Sequence, residues 1–338
     1  MNKNETILNH VLKYAATCYE FKIENAVPMI SGSNAIYKVE RQGLNFYLRI
    51  SQKSAAYLMG EMDWLIYLKD AIHAPVPIMS RNSNLIESYQ SGKEIYQLCL
   101  FSELIGMPWN KNDLKKWNSK TFYKWGAAMG KLHALTKQYT PSSPTTKRPN
   151  FEDDHYLPEN FNFLSTISQI LEKINKEILA LPKDLDAFGL IHCDMHPHNL
   201  LFTEDDIVVL DFDDCTYAWF ALDIGIALYH ALWWGIPDRI IDQNAYAKDL
   251  IKHFLNGYLS ANQLSAFWLK KIPLFMRWRQ IGALGWFTKT DNLDDIIYND
   301  WLKIDFDIRK HISLIEQGKF YEGCKINEDD FLVWASCE

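Results

Sequence analysis

Gly189-Leu190-Ile191-His192-Cys193-Asp194-Met195-His196-Pro197-His198-Asn199, followed by Ile207-Val208-Val209-Leu210-Asp211-Phe212-Asp213-Asp214-Cys215, is the stretch on which the fold is decided. An apolar run enters a loop crowded with histidine, aspartate and asparagine, and Leu200-Leu201-Phe202 leaves it. A third apolar run, Ile207 to Leu210, ends on Asp211, seventeen residues after Asp194. Acids and histidines set between apolar strands are costly to bury without partners or a task, so turn-capping alone is a poor account of them.

The spacing His-x-Asp-x-x-x-x-Asn, with Asp-Phe-x at that distance, is what phosphoryl transfer asks of a protein. One aspartate must orient an attacking hydroxyl and take its proton, and hard oxygen ligands must hold magnesium on the phosphates. Asp194 reads as the base, and Asn199 and Asp211 as the Mg2+ ligands. Two other chemistries could use some of the same residues. His192, Cys193, Asp194, His196 and His198 could ligate a hydrolytic zinc or two-metal site, but that leaves Asp211-Phe212-Asp213 without a role. A pseudokinase would bind nucleotide without turnover, yet every acid that turnover needs is present.

Outward from this stretch the chain reads as two parts. Residues 5–20 carry Ile7, Leu8, Val11, Leu12 and Ala15 at helical spacing. Ala35 to Glu40 and Asn45 to Ile50 read as a hairpin around Gly43, and Leu85 to Ser88 and Glu94 to Phe101 as two further strands turning at Gly92. Ser54 to Ile72 is a helix inserted into this small sheet. Ser102 to Trp109, with Gly106 and Pro108, reads as a hinge. Helices are expected over Leu114 to Lys137, over Phe163 to Leu181 and throughout the chain after Phe220. The expected division is therefore 1–102 for a nucleotide-binding lobe and 103–338 for a catalytic and substrate-binding lobe.

With 48% hydrophobic residues the 338-residue chain can bury a sizeable core. Its 35 basic and 42 acidic residues give a net charge of −7, which argues against nucleic acid as a partner. Cys18, Cys99, Cys193, Cys215, Cys324 and Cys337 are scattered without a Cys-x-x-Cys pair, and the first residues are polar, so a cytoplasmic protein with reduced thiols is expected. Phe220 to Ile236 contains Asp223 and His230 and reads as a buried helix rather than a membrane span.

The sequence resembles the aminoglycoside phosphotransferase superfamily, which includes homoserine, choline, hydroxylysine and methylthioribose kinases. Gly189 to Asp194, Val209 to Asp214, Trp125 to Thr136 with Leu132-His133, and Asp223 carry the resemblance. It implies an α+β, bilobal, protein-kinase-like fold: a small antiparallel N-terminal sheet with one inserted helix, and a larger helical C-terminal lobe. It implies ATP and Mg2+ as cofactors and a small-molecule hydroxyl acceptor, with no membrane partner. Ser31, Gly32, Ser33 and Asn34 then stand where a loop covers the phosphates. Arg49 stands where a strand offers lysine to them, with Glu61 as its ion-pair partner, and Leu100 to Glu103, including Phe101, where backbone meets adenine. His192, Asp213, Asp214 and Asp223 support the site, and Asp223 would hold the loop through its backbone. His133 reads as a packing histidine, His196 and His198 as residues that shape the loop, and one or two tryptophans as lining an acceptor pocket.

Departures from protein kinases are as informative. Cys193 replaces the arginine that reads a phosphorylated activation loop, Asp213 replaces the glycine of Asp-Phe-Gly, and no Ala-Pro-Glu follows. A bacterial protein serine/threonine kinase of the same fold remains the alternative. From Asp184 to Asp242 there are twelve Asp or Glu against Arg239 alone. The field expected at Asp213 and Asp214 would favour an amine-bearing acceptor.

Overall fold

The computed structural model describes residues 3–29, 34–153, 165–288, 308–320 and 326–336. The chain divides into two compact units, neither continuous in sequence. The first comprises Met1–Gly106, Tyr139–Arg148 and Val208–Asp213; the second comprises Met107–Gln138, Pro149–Ile207 and Asp214–Glu338.

The first unit is an antiparallel sheet. Its strands are β1 (Val27–Met29), β2 (Ala35–Arg41), β3 (Leu44–Ser51), β4 (Pro77–Ile78), β5 (Glu87–Ser91) and β6 (Glu94–Ser102), in the order β1-β2-β3-β6-β4 with β5 also on β6. Gln42 and Gly43 both have positive φ, the geometry of a two-residue turn whose twist matches the strands it joins. Helix α1 (Lys3–Tyr19) lays Val11, Leu12, Ala15 and Cys18 on Val39, Leu48, Ile50, Leu98 and Leu100. The Tyr19 hydroxyl donates to the Leu98 carbonyl. Helix α2 (Ala55–Leu68) follows β3 and is capped by the Ser54 hydroxyl, which accepts from the Tyr57 amide.

In the second unit β7 (Met107–Pro108) pairs with β9 (Leu200–Phe202), so the expected hinge contains a strand. Helix α3 (Ser119–Thr136) begins later than Leu114 because the Asn118 side chain accepts from the amides of Lys120 and Thr121 and fixes the start there. After α4 (Ser165–Leu179), β8 (Phe188–Ile191) pairs antiparallel with β11 (Thr216–Trp219), a strand that the sequence reading left out. The short β10 (Ile207–Val209) lies between them in sequence, its Val208 and Val209 belonging to the first unit. Helices α5 (Phe220–Trp234), α6 (Gln243–Ala261), α7 (Ala266–Thr288), α8 (Ile308–Glu316) and α9 (Glu328–Ser336) complete the described residues. Helix α5 is buried from Phe220 to Leu232, and among the described residues no helix is long and apolar enough to cross a membrane.

Helices α3 and α6 meet backbone to backbone. A Cβ on Gly126 would fall on the Phe254 carbonyl and one on Gly257 on the Tyr123 carbonyl, so each helix offers a glycine to the other. A Cβ on Gly282, in α7, would meet nothing within 4 Å. Gly126→Ala is therefore expected to cost about 1–3 kcal/mol by overpacking, read as a lower urea midpoint. Gly282→Ala should leave the midpoint unchanged or raise it slightly; equal behaviour of the two variants would refute the close approach.

Candidate active site

In the first unit, β3 carries Arg49 and α2 carries Glu61, both buried. The pair is a fork, Arg49 Nη1 to Glu61 Oε1 at 3.0 Å and Nη2 to Oε2 at 2.5 Å. The Arg49 guanidinium also lies over the Phe101 ring, 5.0 Å from its centroid. The Asp213 carboxylate closes the cluster. It stands 3.7 Å from Arg49 Nη1 at Oδ1, and Oδ2 accepts from Lys53 Nζ at 2.7 Å and from Asn34 Nδ2 at 3.0 Å. Arg148 Nη2 donates to the Asp213 carbonyl. Burial pushes the Asp213 carboxyl up, but Arg49 and Lys53 outweigh it and hold it below the usual carboxylate range.

Asp211, two residues earlier, is exposed and has a φ of 56°, while Phe212 between them is buried edge-on against Trp64. A non-glycine residue in the left-handed region persists only where its surroundings over-determine it. Phe212 and Asp213 supply that here. Ser31, Gly32 and Ser33 lie outside the described residues. In the stretch expected to meet adenine, Leu100 to Ser102 is already engaged in the sheet: Phe101 is in register with Tyr47, and the Ser102 amide donates to Val76. The Glu103 carboxylate accepts from Lys38 Nζ at 2.7 Å and Asn45 Nδ2 at 3.0 Å.

In the second unit, β8 runs directly into the His192-Cys193-Asp194 loop, with Cys193 at φ 67°. Asp223, in the first turn of α5 and fully buried, accepts from the His192 amide at 3.0 Å and the Cys193 amide at 2.9 Å. His133 Nε2 is 3.1 Å from Asp223 Oδ2. A carboxylate can only accept, so Nε2 carries the proton and Nδ1 accepts from the Tyr258 hydroxyl 3.0 Å away. Asn262 Nδ2 in turn donates to Tyr258 at 2.8 Å. Burial pushes the His133 pKa down against the pull of Asp223. His133 does pack, stacked on Phe220, but it is also part of the loop's anchor.

Asp194 is held at both oxygens. Oδ2 accepts from Asn199 Nδ2 at 3.0 Å and lies 3.3 Å from His196 Nε2, and Oδ1 accepts from Arg279 Nη2 at 2.6 Å. Burial pushes the Asp194 carboxyl up, and His196 and Arg279 more than reverse this, leaving it well below the usual carboxylate range. Asn199 Nδ2 is also 2.9 Å from the Asp194 carbonyl, which leaves the Asn199 amide oxygen, a hard donor, as the atom that can face a cation. His192 Nδ1 accepts from the Asp194 amide, and His198 packs edge-on against Trp109 and Trp234 with its pKa pushed down to about 4 by burial and by His196. These rings are occupied in shaping the loop. Beside it lies a cavity of about 880 Å³ whose walls include Trp109, Trp117, His198, Trp233, Trp234 and His311.

Sequence reasoning missed Arg279, His230 and Lys53. Arg279 comes from α7, whose only warning was a pair of arginines, 277 and 279, among the largely apolar residues after Lys271. The field expected at Asp213 needs correction. Its carboxylate is already compensated by Arg49 and Lys53, cations that a count along residues 184–242 could not include. It offers no uncompensated charge to an amine.

The model of the phosphotransferase enzyme family matches residues 30–262. The chain belongs to this family. It is 31% identical over 296 residues to an amicoumacin kinase of Bacillus subtilis (strain 168), covering 85% of this chain and 86% of that one. Among solved structures it resembles the amicoumacin kinase hAmiN in complex with AMP-PNP, Ca2+ and Ami, with a TM-score of 0.83, 26% identity, and coverage of 95% and 99%. A microcompartment-associated aminopropanol kinase, at 19% identity and a TM-score of 0.69 over 91% of this chain and 94% of that one, shares the fold. The chain is thus a small-molecule kinase of α+β, protein-kinase-like fold.

Asp223→Ala would leave the buried His192 and Cys193 amides and the His133 ring without their acceptor. A loss of about 3 kcal/mol or more is expected, measured by urea denaturation. Asp223→Asn, which keeps one acceptor oxygen, should lose less. Two variants as stable as the parent would refute the anchoring role.

Proposed function

We propose that this kinase transfers the γ-phosphoryl group of Mg2+-ATP to a hydroxyl of amicoumacin or a close analogue. The observation that carries the reading is the 31% identity to an amicoumacin kinase across 85% of the chain. The cavity beside the Asp194 loop supports it: its volume lies in the range of sites for drug-sized molecules, and its walls combine tryptophan rings with polar groups such as Asn112, Asp113 and Lys116.

In this reading Asp194 aligns the acceptor hydroxyl and receives its proton as the oxygen attacks the γ-phosphorus and the β–γ bridging oxygen departs with ADP. Asn199, through its amide oxygen, and Asp211, through its exposed carboxylate, would hold the divalent cation. Bound there, it neutralises phosphate charge. Arg49 and Lys53 are the nucleotide-side cations. Arg49 is sunk in its fork with Glu61, whereas the Lys53 side chain is 32% exposed and can shift from Asp213 to a phosphate. Asn34 continues the covering loop, and Glu103 follows the strand that would border adenine. His192, Asp214 and Asp223 support the loops. ATP use and scattered thiols suit a cytoplasmic setting.

With amicoumacin as acceptor, Asp194→Asn should lower kcat by ~10²–10⁴ while calorimetry shows AMP-PNP binding within twofold of the parent. Parent-like turnover would remove Asp194 from the mechanism. If amicoumacin is not phosphorylated but a generic protein substrate is, the small-molecule acceptor is wrong. Lys53→Ala should raise the KM for ATP severalfold and Lys53→Arg much less. Identical KM values in both variants and the parent would leave Arg49 as the phosphate contact.

A further inference from the structure

Arg279 is 85 residues from Asp194 in sequence, yet its Nη2 makes the 2.6 Å contact to Asp194 Oδ1. What aims it is His230 on α5. Arg279 Nε donates to His230 Nε2 at 2.9 Å, and an arginine has only donors, so Nε2 is the accepting nitrogen and the ring proton sits on Nδ1. His230 Nδ1 is buried with no partner among the described residues. A buried unsatisfied donor carries a cost, and here it accompanies a ring held in one orientation. That ring is stacked on Trp234, 4.3 Å between centroids at 26°, and lies nearly parallel to Trp233 at 5.8 Å. The guanidinium is thereby fixed at Nε and delivers Nη2 to the carboxylate.

The lone pairs then single out one atom. Each carboxylate oxygen accepts in about two directions. Those of Asp194 Oδ2 face Asn199 and His196, whereas Oδ1 has Arg279 as its partner among the described residues. One direction at Oδ1 remains, beside the guanidinium.

We propose that Arg279, aimed by His230, is the positioning residue of Asp194, presenting Oδ1 as the atom that receives the acceptor hydroxyl. The inference rests on the reading of Asp194 given above. Arg279 also offsets the charge of Asp194, and so eases the meeting of a carboxylate with a highly anionic phosphoryl group.

The test is steady-state kinetics with ATP and amicoumacin on Arg279→Met, Arg279→Lys, Asp194→Asn and the Arg279→Met/Asp194→Asn double variant. Slow ADP release to water without acceptor provides the same comparison should amicoumacin not be used. Arg279→Met should lower kcat by about 10²-fold, the size of loss that misplacing a reacting group brings, with the KM for ATP within twofold. Arg279→Lys should recover part of it. The double variant should be no slower than Asp194→Asn alone, because residues that act as a unit do not lose rate additively. Guanidinium ion added to Arg279→Ala should raise turnover, which only a folded protein with an empty guanidinium site can show. Parent-like kcat in Arg279→Met beside an inactive Asp194→Asn would overturn the inference alone, as would losses that multiply in the double variant. Parent-like turnover in Asp194→Asn would overturn the assignment of Asp194 and the inference with it.

Discussion

The carboxylate of Asp223 is the constraint on which the second unit depends. A fully buried acid is tolerable only if its oxygens are met by donors, and here the donors are two consecutive amides, at His192 and Cys193, together with His133. Two successive amides can converge on one side chain only if the chain turns sharply between them. The left-handed φ of Cys193 is that turn. The amide hydrogen bonds to Asp223 thus offset both the strain of the turn and the desolvation of the acid. Through Tyr258 and Asn262 the same network reaches α6, and the glycines that let α3 and α6 touch bring His133 close enough to complete it.

A second constraint is charge compensation over long sequence separations. Asp194 is balanced by Arg279 from α7, and Asp213 by Arg49 and Lys53 from β3 and the turn after it. In water such pairs contribute little, but at buried oxygens an unpaired charge costs several kcal/mol. Asp213, buried, and Asp194, half-buried, are therefore present as anions because their cations are present. For Asp194 the consequence is chemical as well as structural. A carboxylate in this field is a weak base, and in the proposed reaction it would orient the hydroxyl and take the proton late, which suits a loose phosphoryl-transfer transition state in which the nucleophile gains charge only slowly.

This division explains what the sequence could tell. The β2–β3 hairpin announces itself through Gly43, α2 through Ser54, and the loop acids through apolar runs that end on them, because local chemistry dictates each of these. The strand Thr216–Trp219 escaped notice because four residues between a loop and a helix carry no periodicity, and only pairing with β8 makes them a strand. The start of α3 shifted from Leu114 to Ser119 because a cap, not the apolar stripe, sets the end. Arg279 and Lys53 were invisible for a different reason. A cation acquires meaning from the acid it meets, and no spacing rule links residue 279 to residue 194. The acid excess between Asp184 and Asp242 misled in the same way, since charge counted along a chain omits what the fold brings from elsewhere.

The two units solve one physical problem twice. Each must present an acid from a loop that follows an apolar strand, and such a loop has no regular hydrogen bonding to hold it. In the second unit Asp223 grips the backbone just before Asp194. In the first unit Asp213 grips Asn34, Lys53 and Arg49 just after Asp211, while Arg148 holds its carbonyl and Phe212 is locked beneath Trp64. In each case a buried carboxylate fixes a neighbouring one, and a left-handed residue, Cys193 or Asp211, supplies the change of direction. Glycine at position 213 would allow that turn but offer nothing to Lys53 or Asn34. Aspartate there ties Asn34, Lys53 and Arg49 to the backbone beside Asp211 in one cluster. The absence of an arginine directly before Asp194 follows the same logic: Cys193 fills the buried position, and Arg279 provides the positive charge from a helix.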